Sequence, residues 1–349
     1  MAYAPISFQR EVDSLVKGKK KLFQWREAEN PVRYAYMKLL RERDQSRRVY
    51  PEDPFVEVYT LRPGIYGIYA ESLDGMGDSW MFLIEGPEKA LLIDTAWGLG
   101  DLKALVHRLI GDKPFFVANT HCHKDHAYGN YQFDRVYCHE YEVARLQSNM
   151  HPHVWDELFD ENGEPIWYDF RREDLIPYRE YEIVGVPDGF CFDLGGGHQV
   201  ELLLMAGHSN GHAGFLDKKN RIFFPGDDCC VGAIGIGGAP GTPYAEYCTV
   251  EAFYKQLQKI TARLGEFDSL FPSHGPVETG PVMLLSAMEA CKEVLDNPNS
   301  YDIVQQSPRG IRYGKMIFES GYLLYGQQSV YMNPQDTAGW RSSHKEFTK

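Results

Sequence analysis

In the stretch Thr120-His121-Cys122-His123-Lys124-Asp125-His126, four side chains able to bind a metal fall within six residues. Residues 115–118 before it form a short apolar β run. If the backbone stays extended beyond that run, His121, His123 and Asp125 lie two apart and project to one side, so two imidazoles can meet one ion. His126, adjacent to Asp125, leaves in a different direction, which suits Asp125 and His126 to a second ion. Imidazole and carboxylate together favour zinc, with manganese or iron as further candidates. The chain also contains matching parts: Asp94, His208, Asp227 and His274 each follow a short apolar run and, in most cases, a Gly or Pro. That recurrence is expected where strand ends converge along one edge of a sheet structure, and a surface loop that is merely rich in histidine would not require it.

The elements that must position these residues are legible in outline. Residues 1–54 read as amphipathic helix in pieces, broken at Pro31 and in the Pro51-Glu52-Asp53-Pro54 cluster, and form an N-terminal helical extension. From residue 55 the pattern changes to short β runs at 55–61, 65–69, 80–85 and 90–94. Residues 101–110 carry Leu102, Leu105, Val106 and Leu109 at helical spacing. Residues 147–188 hold His151, His153, Trp155, Trp167, Tyr168, Phe170, Tyr178 and Tyr181 among acidic groups. They read as an insertion, either a lid that sets substrate choice or a segment packed on the surface. Strands at 199–205, 221–225 and 269–271 run into His208, Asp227 and His274, and 249–264 and 281–297 have helical spacing. Early and late strands with helices between them suggest two sheets covered by helices. Residues 298–349 are mixed in character and form a C-terminal extension.

Composition bounds the function. Among 349 residues no apolar run approaches the roughly 18–20 that a membrane span requires, so no membrane partner is expected. The first residues lack a basic start and an apolar segment, and a cytoplasmic location is the default. Seven cysteines, an odd number without disulfide-framework spacing, fit reduced thiols. A formal net charge of −13 argues against a nucleic-acid partner. The basic stretch from Lys17 to Arg48 reads as a solvated helical face. His107, His139, His198 and His344 read as structural, and His212 as a side chain that stabilises a turn. His151 and His153 could approach substrate from the insertion. Asp228 is given no role.

The five landmarks together resemble the metallo-β-lactamase fold superfamily: Leu92-Ile93-Asp94-Thr95, the H-x-H-x-D-H stretch, Gly207-His208-Ser209-Asn210-Gly211-His212, Pro225-Gly226-Asp227, and Pro272-Ser273-His274-Gly275. The resemblance covers about residues 55–297 and implies an α/β fold, an αββα four-layer sandwich. It would put His121, His123 and His208 on one divalent ion and Asp125, His126 and His274 on another, with Asp227 bridging. Asp94 would hold the ligand loop without touching metal.

Two such ions about 3.5–4 Å apart can hold a bridging hydroxide at neutral pH and polarise the bond it attacks, with Asp125 or Asp227 orienting the nucleophile and shuttling its proton. Members of the superfamily cleave thioesters, lactones, β-lactams, phosphodiesters and sulfate esters with nearly these ligands. The acyl-homoserine lactonases carry a tyrosine where this chain has Cys230, and the β-lactamases generally lack a counterpart of Asp227. No basic flexible arm of the kind used by tRNA-processing nucleases is present in 147–188. The expectation is a dinuclear-metal hydrolase of a small-molecule ester, lactone or thioester, most readily with two zinc ions. The alternatives are a phosphodiesterase and an oxidoreductase similar to the persulfide dioxygenases, with one iron. A homodimer through either terminal extension is compatible with the sequence.

Overall fold

The computed structural model describes residues 35–333, except 76, 238–240, 308–309 and 318–320. Eight strands form the larger sheet in sequence order: β1 (Arg48–Tyr50), β2 (Asp53–Arg62), β3 (Ile65–Ala70), β4 (Ser79–Glu85), β5 (Ala90–Ile93), β6 (Phe115–Ala118), β7 (Arg135–His139) and β8 (Glu182–Val186). Neighbours are antiparallel up to β5 and parallel from β5 to β8. The second sheet has the order β14 (Ser269–Pro272), β12 (Ile222–Gly226), β11 (Ala213–Asp217), β10 (Gln199–Leu204), β9 (Cys191–Asp193). A third, smaller sheet joins β13 (Gly232–Gly235) to β17 (Gly321–Tyr325), β16 (Gly310–Ile317) and β15 (Ile303–Ser307).

Alternation along the strands sorts side chains into separate cores. Met81 and Leu83 of β4 face one core, whereas Phe82 and Ile84 face another. The first holds Leu102, Leu105 and Val106 of helix α2 (Leu102–Ile110) against the outer face of the large sheet. The second lies between the sheets, where Tyr59, Trp80 and Phe82 meet Phe192, Val200, Phe215 and Phe224. On the far side Phe223 packs with Phe253 and Leu257 of α5 (Val250–Thr261) and with Leu284 and Ala287 of α6 (Val282–Asp296). The layers run helix, sheet, sheet, helix, a mixed α/β architecture. Strands such as β5 (Ala-Leu-Leu-Ile) are apolar throughout because both of their faces are covered.

Local signals set the helix ends. Asp101 caps α2 by accepting the Ala104 N–H at 2.8 Å, and Thr249 does the same for Ala252 at 3.2 Å at the start of α5. At the other extreme, the helical reading up to residue 54 meets only α1 (Ala35–Arg43) among the described residues, since Arg48–Tyr50 is already strand. Val49 and Tyr50 favour an extended backbone, and pairing with β2 decides the matter. Residues 1–34, with the Lys19-Lys20-Lys21 run, and the tail from 334, with His344, lie outside the described residues.

Two arginines of the basic stretch are not on a solvated face. Arg41 and Arg47 are buried and both bond to Glu57, Arg41 at 3.1 Å and Arg47 at 2.9 Å and 3.0 Å, and Arg41 reaches Glu71 at 3.2 Å. The carboxylates wait on the sheet, so the guanidinium groups pack inward instead of toward water. Residues 147–188 contribute Trp155, Trp167, Tyr168 and Phe170 to the core under the large sheet and then supply its edge strand β8.

Candidate metal centre

Five strands end at one edge. β5 and β6 are parallel neighbours, as are β12 and β14; β10 runs in the direction of β12 because each is antiparallel to β11. Asp94, His121, His208, Asp227 and His274 therefore all follow C-terminal strand ends. The sheets are tied there by the Ala213 N–H on Thr120 O and the Trp80 N–H on Ser273 O, each at 2.8 Å. Beyond β6 the chain turns into the short helix α3 (Lys124–Ala127), so Asp125 and His126 leave in directions different from His121 and His123.

Two groups of converging donor atoms result: His121, His123, His208 and Asp227, and beside them Asp125, His126 and His274. His123 Nδ1 is 2.8 Å from His121 Nε2 and 2.9 Å from His208 Nε2. Asp227 Oδ2 is 3.4 Å from His208 Nε2 and 3.2 Å from His274 Nε2, while its Oδ1 is 3.2 Å from His126 Nε2. One carboxylate thus faces both groups. Asp125 Oδ2 lies 3.3 Å from both His126 Nε2 and His274 Nε2.

The outward nitrogens assign the protons. His208 Nδ1 donates to Gly235 O at 2.8 Å and His274 Nδ1 to Asp78 O at 2.6 Å, since a carbonyl can only accept. His126 Nδ1 donates to Asp94 Oδ2 at 2.9 Å. Thr120 donates its hydroxyl to the same oxygen at 2.8 Å and so accepts from His121 Nδ1 at 3.0 Å. In the neutral rings, every Nε2 of these four turns a lone pair inward, toward other lone pairs. His126 Nε2 and Asp227 Oδ1 are buried without a hydrogen-bond partner. Acceptors aimed at acceptors call for a cation between them. Ligand atoms about 2.0–2.1 Å from a tetrahedral ion stand about 3.3 Å apart, close to the separations found here. The residues fit divalent metal.

The electrostatics split the groups, disfavouring a proton on His121 and His123 and favouring positive charge beside the carboxylates. Burial first, then the neighbouring histidines, holds His121 well below the usual imidazole range, and burial with His208 does the same to His123. At His126 burial opposes the charge, yet the Asp125, Asp227 and Asp94 carboxylates overcome it and raise the ring well above its ordinary value. His274 is raised likewise by Asp227 and Asp125 against burial. The two aspartates are depressed despite burial, Asp125 chiefly by His126 and Asp227 chiefly by His274.

Asp94 accepts from Thr120 N at 2.7 Å, from the Thr120 hydroxyl and from His126, at a left-handed φ of 64°. Two residues given little or no part by the sequence stand next to the groups. His212 Nε2 accepts the Asp227 N–H at 3.1 Å, and its Nδ1 is 2.7 Å from Asp228 Oδ2, all three residues being buried. Gly226 allows that approach: its φ is +62° and a Cβ there would stand 2.5 Å from His212 Nε2. The repeated histidine of Gly-His-Ser-Asn-Gly-His and the paired Asp227-Asp228 were the available signals. Glu142, fully buried beside these loops, left none. His153 is exposed and pairs with Asp156, and His139 and His198 are buried outside the two groups.

Residues 74–243 match the model of the metallo-beta-lactamase superfamily. Those residues form a domain of that superfamily, and the chain is a metal-dependent hydrolase. Among curated relatives, the acyl-coenzyme A thioesterase MBLAC2 of Homo sapiens is 27% identical over 232 residues, 62% of this chain and 79% of that protein. The protein of the same name from Gallus gallus is 25% identical over 226 residues, 61% of this chain and 78% of its own. Among solved structures, a metallo-beta-lactamase from Pontibacter korlensis is 18% identical, covers 68% of this chain and 99% of its own, and has a TM-score of 0.46.

Proposed function

We propose that the chain is a dinuclear-metal hydrolase of thioesters, with an acyl-coenzyme A-like small molecule as the substrate class. The observation that carries the dinuclear part is Asp227, whose two carboxylate oxygens face histidines of both groups. His121, His123 and His208 hold one ion, and Asp125, His126 and His274 the other. The thioester part rests on the activity in the names of the MBLAC2 relatives. Zinc suits the imidazole-rich donor set best, with manganese or iron accommodated by the carboxylates.

When bound, two such ions supply Lewis acidity and a nucleophile at neutral pH. The chain's residues do the rest. Carbonyl and carboxylate acceptors at Gly235, Asp78 and Asp94 keep the ring protons outward, so the inward nitrogens stay available as ligands. Asp125 or Asp227 orients the attacking water and takes up its proton. The side chains of Asp125, His274 and His208 are 17%, 19% and 14% exposed, against 0% for His121 and His126, so the centre opens along a side that both groups share. Substrate enters there. No helix among the described residues is long and apolar enough to cross a membrane. Those residues contain no disulfide, which suits a reducing compartment such as the cytoplasm.

Elemental analysis of protein made without added metal, paired with a panel of acyl-coenzyme A thioesters, lactones, aryl esters and phosphodiesters, tests the reading. Two zinc or manganese ions per chain and thioester turnover that is lost in Asp227→Ala are expected. Turnover of phosphodiesters alone would overturn the substrate class. One iron per chain, with oxygen uptake on a persulfide and no hydrolysis, would overturn the hydrolase mechanism.

A further inference from the structure

The loop of His121 and His123 and the loop of His208 come from different sheets, and something must fix their distance. Glu142 lies between them. It ends the 3₁₀ turn Glu140–Glu142 after β7, next to α4 (Val143–Asn149), and is fully buried. Its Oε1 accepts the N–H of Cys122 at 2.9 Å. Its Oε2 accepts the N–H of Gly211 at 2.8 Å and the hydroxyl of Ser209 at 3.0 Å. Cys122 is the residue between His121 and His123, and Ser209 follows His208.

The grip on Cys122 is two-sided, because Asn149 Nδ2 donates to its carbonyl at 2.7 Å from the end of α4. Both backbone polar groups of the residue between the two histidines are therefore held from one short segment. On the other loop, contact is close enough to exclude a side chain: a Cβ on Gly211 would stand 2.6 Å from Glu142 N. A buried carboxylate is costly unless its oxygens are satisfied, and here all three donors belong to ligand-bearing loops. An apolar residue would fill the space at less cost. Only a carboxylate joins the loops.

We infer that Glu142 is a positioning residue that sets His121 and His123 against His208, and so determines affinity at the three-histidine group without touching an ion. This rests on the two-metal reading above. Asp125, His126 and His274 receive none of these bonds, so the effect is confined to one of the two ions.

The test is a zinc titration of the full-length chain against a chromophoric chelator, with cobalt substitution as the spectroscopic readout, for the wild type, Glu142→Gln and Ser209→Ala. Glu142→Gln keeps the shape but turns an amide NH₂ toward an N–H donor. Its affinity for one ion should fall about 10–100-fold, with the other unchanged and the cobalt bands of the three-histidine group altered. Ser209→Ala removes one donor of three and leaves the carboxylate, so it should fold even if Glu142→Gln does not and should weaken the same ion by a smaller factor. Variants that bind both ions as the wild type does, or that lose both equally, overturn the role of Glu142. A wild type that takes up no ion overturns the two-metal reading itself, a separate result.

Discussion

His212 accepts the backbone N–H of Asp227 through Nε2 while its other nitrogen meets the Asp228 carboxylate, so two consecutive aspartates are held by one ring. One faces the histidine groups and the other is wholly internal. Removing His212 strands a buried carboxylate and a buried N–H. His212→Ala is expected to cost about 3–5 kcal/mol in denaturant unfolding, the scale for leaving a buried charge uncompensated. Asp228→Asn, which keeps a polar oxygen within reach of Nδ1 and buries no charge, should cost less than His212→Ala.

Asp94 collects three donors, two from Thr120 and one from His126. Asp94→Asn removes the charge that keeps the His126 proton on Nδ1. Metal affinity should fall about 10–100-fold, read by competition with a chelator, while the far-ultraviolet circular dichroism stays that of the wild type.

Stripping metal should lower thermal stability, and re-addition should restore it. An ion present at a hundred times its dissociation constant stabilises a folded chain by about 2.7 kcal/mol. The midpoint should therefore rise with free zinc in the wild type, and respond more weakly in His274→Ala, which keeps the three-histidine group. A midpoint indifferent to zinc in the wild type would contradict the assignment.

His139 gives a pH dependence separate from the metal centre. Burial pushes its imidazole down to about 4, and the neutral ring accepts the Tyr141 N–H at 3.2 Å. In the unfolded chain the ring titrates near 6.5. Between these values the unfolded state binds the extra proton, so stability is full above about pH 6.5 and falls as pH drops toward 4. The slope is at most about 1.4 kcal/mol per pH unit from this one group. His139→Gln should flatten that limb when unfolding free energies of the two proteins are compared across the range.

The parts of the fold that were legible in the sequence have a common physical basis. Runs such as Phe115–Ala118, found as a strand with the same bounds, are apolar because both faces are covered, and they end at the residues that carry chemistry. The helices at Leu102–Ile110 and Val250–Thr261 announce themselves by spacing and by a capping Asp or Thr. What was hidden depends on partners distant in the chain. β13 is Gly-Ala-Ile-Gly and becomes a strand only by pairing with β17, some ninety positions later. The inward turn of Arg41 and Arg47 depends on Glu57, and the position of Glu142 on Cys122 and Gly211, none of which has a local signature.

The histidine groups also have a temporal side. The three-histidine group joins residues 121 and 123 to 208 and 227, and its neighbour joins 125 and 126 to 274, so each straddles the seam between the sheets. A growing chain emerging from the ribosome holds no complete group until Asp227, and no complete pair until His274. Neither group can close before strands of both sheets have been made, so a site of this kind is assembled late in synthesis and not on the first sheet alone.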